Sequence, residues 1–214
     1  MMIKYCIWDV GQTMYPYSLD PLDKWAREHT SNIGQYEEQG GVKTFNYKNY
    51  MRGYETYNSF VWRLCRQFNI SQNSKTKIEI NKELHRGAGN FFPQTLEAMK
   101  IVEKNGGENG LLSNALPVLC DTVGFIKQGL SFPSYLIGFL KPEKDAYEVV
   151  KYALKCDYPE IVFVDDKPQN VEAAKELGIY GIVYNKDTII QDISNIMERE
   201  NHNKKLFLQL QHNR

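Results

Sequence analysis

The sequence predicts an α/β protein, with helices on both faces of a parallel β-sheet and an all-helical insert after the first strand. Residues 3–8 form an apolar run that ends at Asp9 and indicates a buried strand. Residues 16–90 then show helical periodicity without a strand-like run. From residue 90 onward, helix-like and strand-like segments alternate. Such alternation is typical of a parallel sheet, because each crossover between parallel strands has room for a helix.

The length and composition limit the class of protein. The chain has 214 residues and a mass of 24.9 kDa, which is enough for one large domain or for a core with a small insert. Its 26 Lys and Arg residues balance its 26 Asp and Glu residues, so the net charge is zero. A protein built mainly to bind nucleic acid or an anionic membrane usually carries a basic surplus. We therefore expect neither partner, and nothing in the sequence indicates an oligomeric state.

The cysteines and the apolar runs indicate a cytoplasmic protein. The four cysteines are singly spaced, without the CxxC pairs or Cys-His clusters of a zinc site, and we expect reduced thiols. They are Cys6, Cys65, Cys120 and Cys156. No sequence segment approaches the ~20 apolar residues of a membrane-spanning helix. The N-terminal apolar run is also too short for a signal sequence.

Three helices are predicted in the insert. The first begins at Asp20-Pro21, since an acid followed by proline is typical of a helix N-terminus. The second covers about residues 46–68, and the third covers residues 74–86. Four tyrosines follow one side of the second helix, and they either pack the insert's own core or form a wall that stacks on a sugar or another ring. They are Tyr47, Tyr50, Tyr54 and Tyr57.

The second half of the chain supplies the remaining strands. Their predicted ranges are residues 111–112, 135–138, 161–164 and 180–184. Helices are expected to begin at Pro93 and to cover residues 115–123, 146–154, 171–177 and 188–197. The predicted units are a core of residues 1–15 and 91–200, a helical insert of residues 16–90 and a polar tail of residues 201–214.

Reactive polar side chains stand where the predicted strands end. They are Asp9, Ser113, Lys141 (in the loop after a strand) and the pair Asp165-Asp166. Ligands of open parallel sheets bind in the crevice at the carboxyl ends of the strands, so we expect these side chains to meet there. Paired carboxylates favour a hard cation such as Mg²⁺. A lysine and a hydroxyl suit a phosphoryl group, and an aspartate can act as a nucleophile that forms an acyl phosphate.

Each of these residues also has an ordinary structural interpretation. Asp9 and the acidic pair could cap a helix or stand in a turn. Ser and Asn are favoured in turns, so Ser113-Asn114 could simply form a turn. A lysine before a proline, such as Lys141, is an ordinary surface residue in most chains. Their joint occurrence at strand ends, in this order, favours a functional site over four unrelated turns.

The order of these motifs resembles that of the haloacid dehalogenase (HAD)-like hydrolases. Residues 5–13 resemble the family's first motif, an apolar strand followed by Asp-x-Asp-x-Thr/Val, and they read YCIWDVGQT. Residues 111–114, 138–147 and 161–174 are similar to the second, third and fourth motifs and read LLSN, GFLKPEKDAY and IVFVDDKPQNVEAA. The resemblance implies a Rossmann-like core and makes residues 16–90 a helical cap. The short insert and the Asp-x-Gly start resemble the branch that contains glucose-1-phosphate phosphatases.

The resemblance implies a Mg²⁺-dependent phosphatase of a small phosphorylated metabolite, such as a sugar phosphate. Asp9 would attack phosphorus and form a phospho-aspartate. The phosphoryl oxygens would be held by Ser113, Asn114 and Lys141. The metal ligands would be Asp9, the backbone carbonyl of Gly11, Asp166, and Asp165 directly or through water. The cap would close over the site and select the substrate.

Two residues depart from the family pattern. Gly11 stands where the phosphatases usually carry a second Asp, which protonates the leaving oxygen and activates water; such acid–base help is worth ~10²–10⁴ in rate. The nearest acids in sequence are Asp20 and Asp23. Asn170 stands where many relatives have Asp. The alternative is therefore a regulatory member that binds phosphate or metal without turnover. A carbon–halogen hydrolase is disfavoured by the acidic pair, since halide displacement needs no Mg²⁺.

Overall fold

A computed structural model of the protein describes residues 3–117 and 129–199. The strands of this part are β1 (Tyr5–Trp8), β2 (Glu108–Ser113), β3 (Ser131–Pro133), β4 (Ile161–Asp165) and β5 (Tyr180–Val183). They form one sheet in the order β3-β2-β1-β4-β5, and every pairing is parallel. Strands β2 and β3 lie on one side of β1, and strands β4 and β5 lie on the other side. The direction in which successive strands are added therefore reverses at β1. Such a reversal opens a crevice at the carboxyl ends of the strands.

The helices α1 to α5 belong to the insert: Asp20–His29, Ile33–Glu38, Lys48–Met51, Tyr57–Gln67 and Ser74–Arg86. The helices α6 to α9 are Pro93–Lys104, Ser134–Ile137, Lys144–Leu154 and Pro168–Glu176. A helix over residues 189–199, α10, ends the described part. Single 3₁₀ turns cover Gly41–Thr44 and Tyr158–Glu160.

Helices cover both faces of the sheet, as the sequence predicts. On one face, Ala98 and Val102 of α6 and Ile189 and Ile193 of α10 pack against alternate residues of β1 such as Trp8. On the other face, α8 and α9 pack against the opposite set of strand residues, and Ala146, Val150 and Ala174 contact the layer that contains Ile7 and Phe163. Alternate strand residues point to opposite faces, so a strand buried on both sides shows the continuous apolar run found at residues 3–8.

The insert has its own hydrophobic core. Helices α1 and α3 to α5 bury aromatic and aliphatic side chains against one another. Tyr50 stacks on Phe60 with ring centroids 4.4 Å apart, and the hydroxyl of Tyr57 donates to the Lys77 carbonyl. Packing therefore accounts for three of the four tyrosines singled out above, since Tyr47 also belongs to this core, whereas Tyr54 is 69% exposed. Tyr47 is buried and also reaches the cavity described below.

Two predicted elements are wrong. The long helix over residues 46–68 is broken into α3 and α4, because Gly53 adopts a positive φ of 71° where the chain passes Tyr135. A Cβ on Gly53 would lie 2.3 Å from the Tyr135 carbonyl oxygen, so only glycine fits. The strand predicted at residues 135–138 lies instead at residues 131–133, and residues 134–137 form the short helix α7.

Three further predictions concern the start of the first helix, the segments outside the described residues and membrane-spanning helices. The first helix includes Asp20 but is preceded by Leu19 as its capping residue. Most of the helix predicted at residues 115–123, Cys120 and the polar tail lie outside the described residues. Within the described part, no helix combines the length and the apolar character needed to cross a membrane.

Candidate active site

The ends of β1, β2 and β4 bring together the predicted site residues. Trp8 of β1 lies opposite Leu111 of β2 and Val164 of β4, so the residues that follow these positions meet at one edge. The described lining of a cavity of ≈ 720 Å³ at this edge includes every predicted site residue except Asp165. These lining residues are Asp9, Gly11, Ser113, Asn114, Lys141 and Asp166.

Lys141 is the centre of the site. Its Nζ lies 2.6 Å from Asp9 Oδ1, from Asp165 Oδ2 and from the Leu112 carbonyl oxygen. These contacts use all three donors of an ammonium group. The side chain is 1% exposed, so its charge interacts with both carboxylates at a lower effective dielectric than in water. The ordinary surface-lysine interpretation of Lys141 is therefore wrong.

Asn114 holds the backbone of the lysine in place. Its Oδ1 accepts from the Lys141 amide at 2.8 Å, and its Nδ2 donates to the Lys141 carbonyl at 2.9 Å. The two bonds join the loop after β2 to the loop after α7. The side chain of Asn114 therefore positions the backbone of Lys141, and its expected contact with a phosphoryl group stays a prediction.

Asp165 is a fully buried anchor for Lys141. Its Oδ1 accepts from the backbone N–H of Lys167 at 2.8 Å, and Asn170 Nδ2 lies 3.0 Å from both carboxylate oxygens. An aspartate at position 170 could not donate these bonds unless it was protonated. Asn170 therefore supplies the carboxylate of Asp165 with a hydrogen-bond donor that an ionised aspartate at this position would lack.

Asp9 and Asp166 carry charge that Lys141 does not fully balance. Burial raises the pKa of Asp9, and the nearby Asp165 adds to this rise while Lys141 opposes it. Burial also raises the pKa of Asp166, helped by Asp9 and Asp165. The buried Oδ1 of Asp166 has no hydrogen-bond partner among the described residues. Carboxylate oxygens of the three acids lie within 4.8 Å of one another, so one lysine and three acids leave an excess of negative charge that a divalent cation could balance.

Gly11 has room for a side chain. A Cβ there would have Tyr17 Cβ as its nearest neighbour at 3.9 Å, an ordinary contact. The positive φ of this turn belongs to Gln12, at 62°, and not to Gly11. Neither Asp20 nor Asp23 is among the described residues of the cavity lining. Asp20 pairs with Lys43, and Asp23 accepts from the Tyr36 hydroxyl at 2.8 Å.

No protein-family profile and no curated protein matches the sequence, but solved structures match the fold. A HAD family enzyme from Bacteroides thetaiotaomicron, solved with magnesium and inorganic phosphate, superposes with a TM-score of 0.67 over 86% of this chain and 95% of that chain, at 17% identity. The chain has the HAD-like fold. A predicted HAD-like family hydrolase from Porphyromonas gingivalis gives a TM-score of 0.68 over 87% of this chain and 93% of that chain, at 16% identity. An L-2-haloacid dehalogenase from Xanthobacter autotrophicus gives a TM-score of 0.55 over 83% of this chain and 76% of that chain, at 14% identity.

The insert contributes to the upper wall of the cavity. Tyr47 and Met51 contribute to the lining from the insert, and Tyr135 and Leu136 contribute from the short helix α7. The first two residues are distant in sequence from the last two, and no local pattern marks the two pairs as neighbours. The sequence analysis named Tyr47 only as one of four tyrosines along a predicted helix. It did not predict Met51, Tyr135 or Leu136 as residues of the site.

The insert is also tied to the loop that carries Lys141. Arg52 donates to the Gly138 carbonyl at 3.0 Å and forms an ion pair with Glu143, two residues after the lysine. Ser134 Oγ donates to the Met51 carbonyl at 2.6 Å. Glu143 in turn accepts from the backbone N–H of Leu140 at 3.1 Å. The HAD-like core and its insert therefore meet through polar contacts at the side of the cavity.

Proposed function

We propose that the protein is a Mg²⁺-dependent HAD-like hydrolase that removes phosphate from a small phosphomonoester through a phospho-aspartate at Asp9. One observation carries this proposal: Asp9, Lys141 and Asp166 converge with Ser113 on one cavity at the carboxyl edge of the sheet. The magnesium and phosphate complex of the structurally similar enzyme from Bacteroides thetaiotaomicron supports the same chemistry. The partner would be a small phosphorylated metabolite in the cytoplasm.

The residues present fit a magnesium ion. The unpartnered Asp166 Oδ1 is a direct ligand in this proposal, with an oxygen of Asp9 and the backbone carbonyl of Gly11. The oxygens of Asp165 are engaged by Lys141 and Asn170, so Asp165 would act through water. The ion, when bound, would neutralise negative charge on the phosphoryl oxygens.

The chain's own groups then have separate roles. An oxygen of Asp9 would attack phosphorus, and the bond from phosphorus to the ester oxygen would break with its electron pair on the leaving group. Lys141 holds Asp9 in position and supplies a fixed positive charge beside the phosphoryl group. The Ser113 hydroxyl, at the end of β2, would donate to a phosphoryl oxygen. Water would then attack the phospho-aspartate and release phosphate.

The domain assignment is part of the same proposal. Residues 1–15 and 91–200 would form the catalytic core, and residues 16–90 would form a cap that selects the substrate. The separate hydrophobic core of the insert supports this division, as does its contribution to the upper wall of the cavity.

The alternative is a protein that binds phosphate or metal without turnover. It is favoured by Gly11, which offers no proton donor. A dehalogenase remains a weaker candidate despite the similar solved structures, because the unpartnered oxygen of Asp166 favours a cation.

A magnesium-dependent assay separates these candidates. We expect hydrolysis of p-nitrophenyl phosphate that is lost with a chelator, restored by Mg²⁺ and absent in Asp9→Asn. Asp187→Asn, which changes an exposed acid outside the described cavity lining, is the matched control and should retain activity. Phosphate binding without hydrolysis in a folded wild-type protein would favour the alternative.

A further inference from the structure

We propose that the substrate is an aryl phosphate, the phosphate ester of a phenol-like ring, and not a sugar or alkyl phosphate. The inference rests on the proposed phosphatase function and specifies its substrate class. Two independent features carry it: the character of the upper cavity wall and the absence of a side chain at Gly11.

The wall above the acids is suited to a flat apolar group. Tyr47 and Met51 of the insert face the same cavity as Tyr135 and Leu136 of α7. Leu136 is 69% exposed, so a bound ring could remove part of its apolar surface from water, worth ~25 cal/mol per Å². Aromatic side chains add offset or edge-on ring contacts of ~0.5–1.5 kcal/mol each. A ring bound there would be stabilised by the wall itself.

The polar groups of this wall are largely engaged within the protein. The Tyr47 hydroxyl donates to the Val42 carbonyl at 2.8 Å, and Gln12 Nε2 donates to the Tyr17 carbonyl at 2.7 Å. Lys43 pairs with Asp20. A sugar would bring several hydroxyls, and each one buried without a partner costs ~1–3 kcal/mol.

The hydroxyl of Tyr17 is an exception. It is buried and has no hydrogen-bond partner among the described residues, and Tyr17 lines the cavity. It could serve one polar substituent on a ring, but one group does not satisfy the many hydroxyls of a sugar. The described wall therefore fits a ring with few polar substituents.

The chemistry at Gly11 points to the same class. Asp9 and Asp166 are the acids among the described lining residues, and they are assigned to attack and to the metal. An alcohol leaving group has a pKa near that of water, far above neutral pH, and needs a proton as it departs. A phenol has a pKa of ~10, so it can leave as phenolate. The Asp9–phosphorus bond forms, the phosphorus–aryl oxygen bond breaks, and the phenolate later takes a proton from solvent.

Matched esters separate the effect of the leaving group from the effect of ring binding at the wall. Phenyl phosphate and benzyl phosphate both carry an aromatic ring, but benzyl phosphate releases an alcohol. With Mg²⁺ present, kcat/KM for phenyl phosphate should exceed that for benzyl phosphate by at least ~10²-fold, the scale of a missing general acid. Benzyl phosphate should in turn exceed glucose 6-phosphate by ~10-fold, since both release alcohols and the ring alone meets the wall.

A wall variant tests the second feature. Leu136→Ala should lower kcat/KM for phenyl and benzyl phosphate by ~3- to 10-fold and leave glucose 6-phosphate unchanged. Tyr152→Ala removes an aromatic ring that is 71% exposed and outside the described lining, and it should change none of the three values.

The outcomes separate the two proposals. Magnesium-dependent hydrolysis with benzyl phosphate or glucose 6-phosphate within threefold of phenyl phosphate would overturn the aryl assignment and leave the phosphatase function standing. An equal loss on all three esters in Leu136→Ala would also overturn it. No hydrolysis of any ester by the folded wild-type protein would overturn the phosphatase function itself.

Discussion

The floor and the upper wall of the cavity are built in opposite ways. On the floor, Lys141 bridges two acids in a site that is almost closed to solvent. On the upper wall, the insert presents mainly apolar and aromatic side chains, together with Lys43, which pairs with Asp20. In the proposed function, the floor would carry the chemical step and the wall would select the group attached to phosphate.

This difference predicts unequal tolerance to substitution. Buried ion pairs contribute little net stability, yet removal of one partner is strongly destabilising because the other charge stays buried. The carboxylates of Asp9 and Asp165 both depend on Lys141. Exposed wall residues have no such dependence, so substitutions there should change substrate preference without loss of the fold.

The largest effect is expected from Lys141→Ala. The variant leaves Asp9 and Asp165 without their shared cation, so kcat should fall by ~10²–10³-fold and the free energy of unfolding by ~3–5 kcal/mol. Steady-state kinetics and urea unfolding measure the two losses. Lys144→Ala removes an exposed lysine that pairs with Glu148 and serves as the control.

A second floor variant keeps this prediction testable if Lys141→Ala does not fold. Ser113→Ala leaves the ion pairs of Lys141 intact and should lower kcat by ~10²-fold through loss of one donor to the phosphoryl group. Wild-type kcat in a folded Ser113→Ala protein would remove the hydroxyl from the mechanism.

Gly11→Asp should sharpen the contrast by adding the missing proton donor to the floor. The added Cβ meets only an ordinary contact at 3.9 Å among the described residues, so the fold should be retained. We expect kcat for benzyl phosphate to rise by ~10- to 100-fold, part of the usual acid–base contribution, with little change for phenyl phosphate. Gly11→Asn adds nearly the same shape without the carboxylic acid. Equal kcat values for the two variants would show that proton transfer does not limit turnover.

A smaller effect is expected on stability from Asp166→Asn in the absence of magnesium. The raised pKa of Asp166 means that the folded protein disfavours its ionised form. This penalty is fully present above the raised pKa, and it disappears as pH falls towards the ordinary value of 3.8. At neutral pH the amide should therefore raise stability by no more than about 1 kcal/mol, since solvent screens a partly exposed charge, or ~2–4 °C in Tm.

Calorimetry at two pH values checks the sign. The gain in Tm should be present at pH 7 and absent well below the ordinary pKa of 3.8, where both the folded and the unfolded carboxyl are protonated. A lower Tm at pH 7 in the metal-free variant would mean that Asp166 is stabilised by a partner outside the described residues.

The smallest effect is expected at the contact between insert and core. Arg52→Gln removes the ion pair with Glu143, and its effect on unfolding should be ~1 kcal/mol or less. The Arg52 hydrogen bond lowers the pKa of Glu143, so this contribution is present above the ordinary pKa of 4.5 and is lost as pH falls through the lowered value. Arg27→Gln, in an exposed pair within the insert, should cost less. Equal losses at pH 7 would mean that the contact between insert and core adds no more stability than an exposed ion pair.

Local sequence patterns predict the buried strands of this molecule and the residues that follow them. A buried parallel strand must be apolar on both faces, so the runs that end at Asp9 and Asp165 were visible in the sequence. The residues after such runs reach the same edge of the sheet, and this explains why Asp9, Ser113 and Asp166 could be placed together. Their catalytic and metal-binding roles remain predictions.

Long-range contacts decide the features that the sequence did not reveal. The break after α3 follows from the close approach of Gly53 to Tyr135. Strand β3 has only three residues, Ser-Phe-Pro, and depends on its pairing with β2. The bonds from Asn114 to Lys141 span 27 residues. No local pattern carries information about such contacts.

The central claim is that Asp9 becomes phosphorylated during turnover. The direct measurement is mass spectrometry of the protein after acid quenching during steady-state hydrolysis of p-nitrophenyl phosphate with Mg²⁺. We expect one phosphoryl group on the peptide that contains Asp9, and none on that peptide in Asp9→Asn. Turnover without a phosphoryl group at Asp9, or with one on another residue, would contradict it.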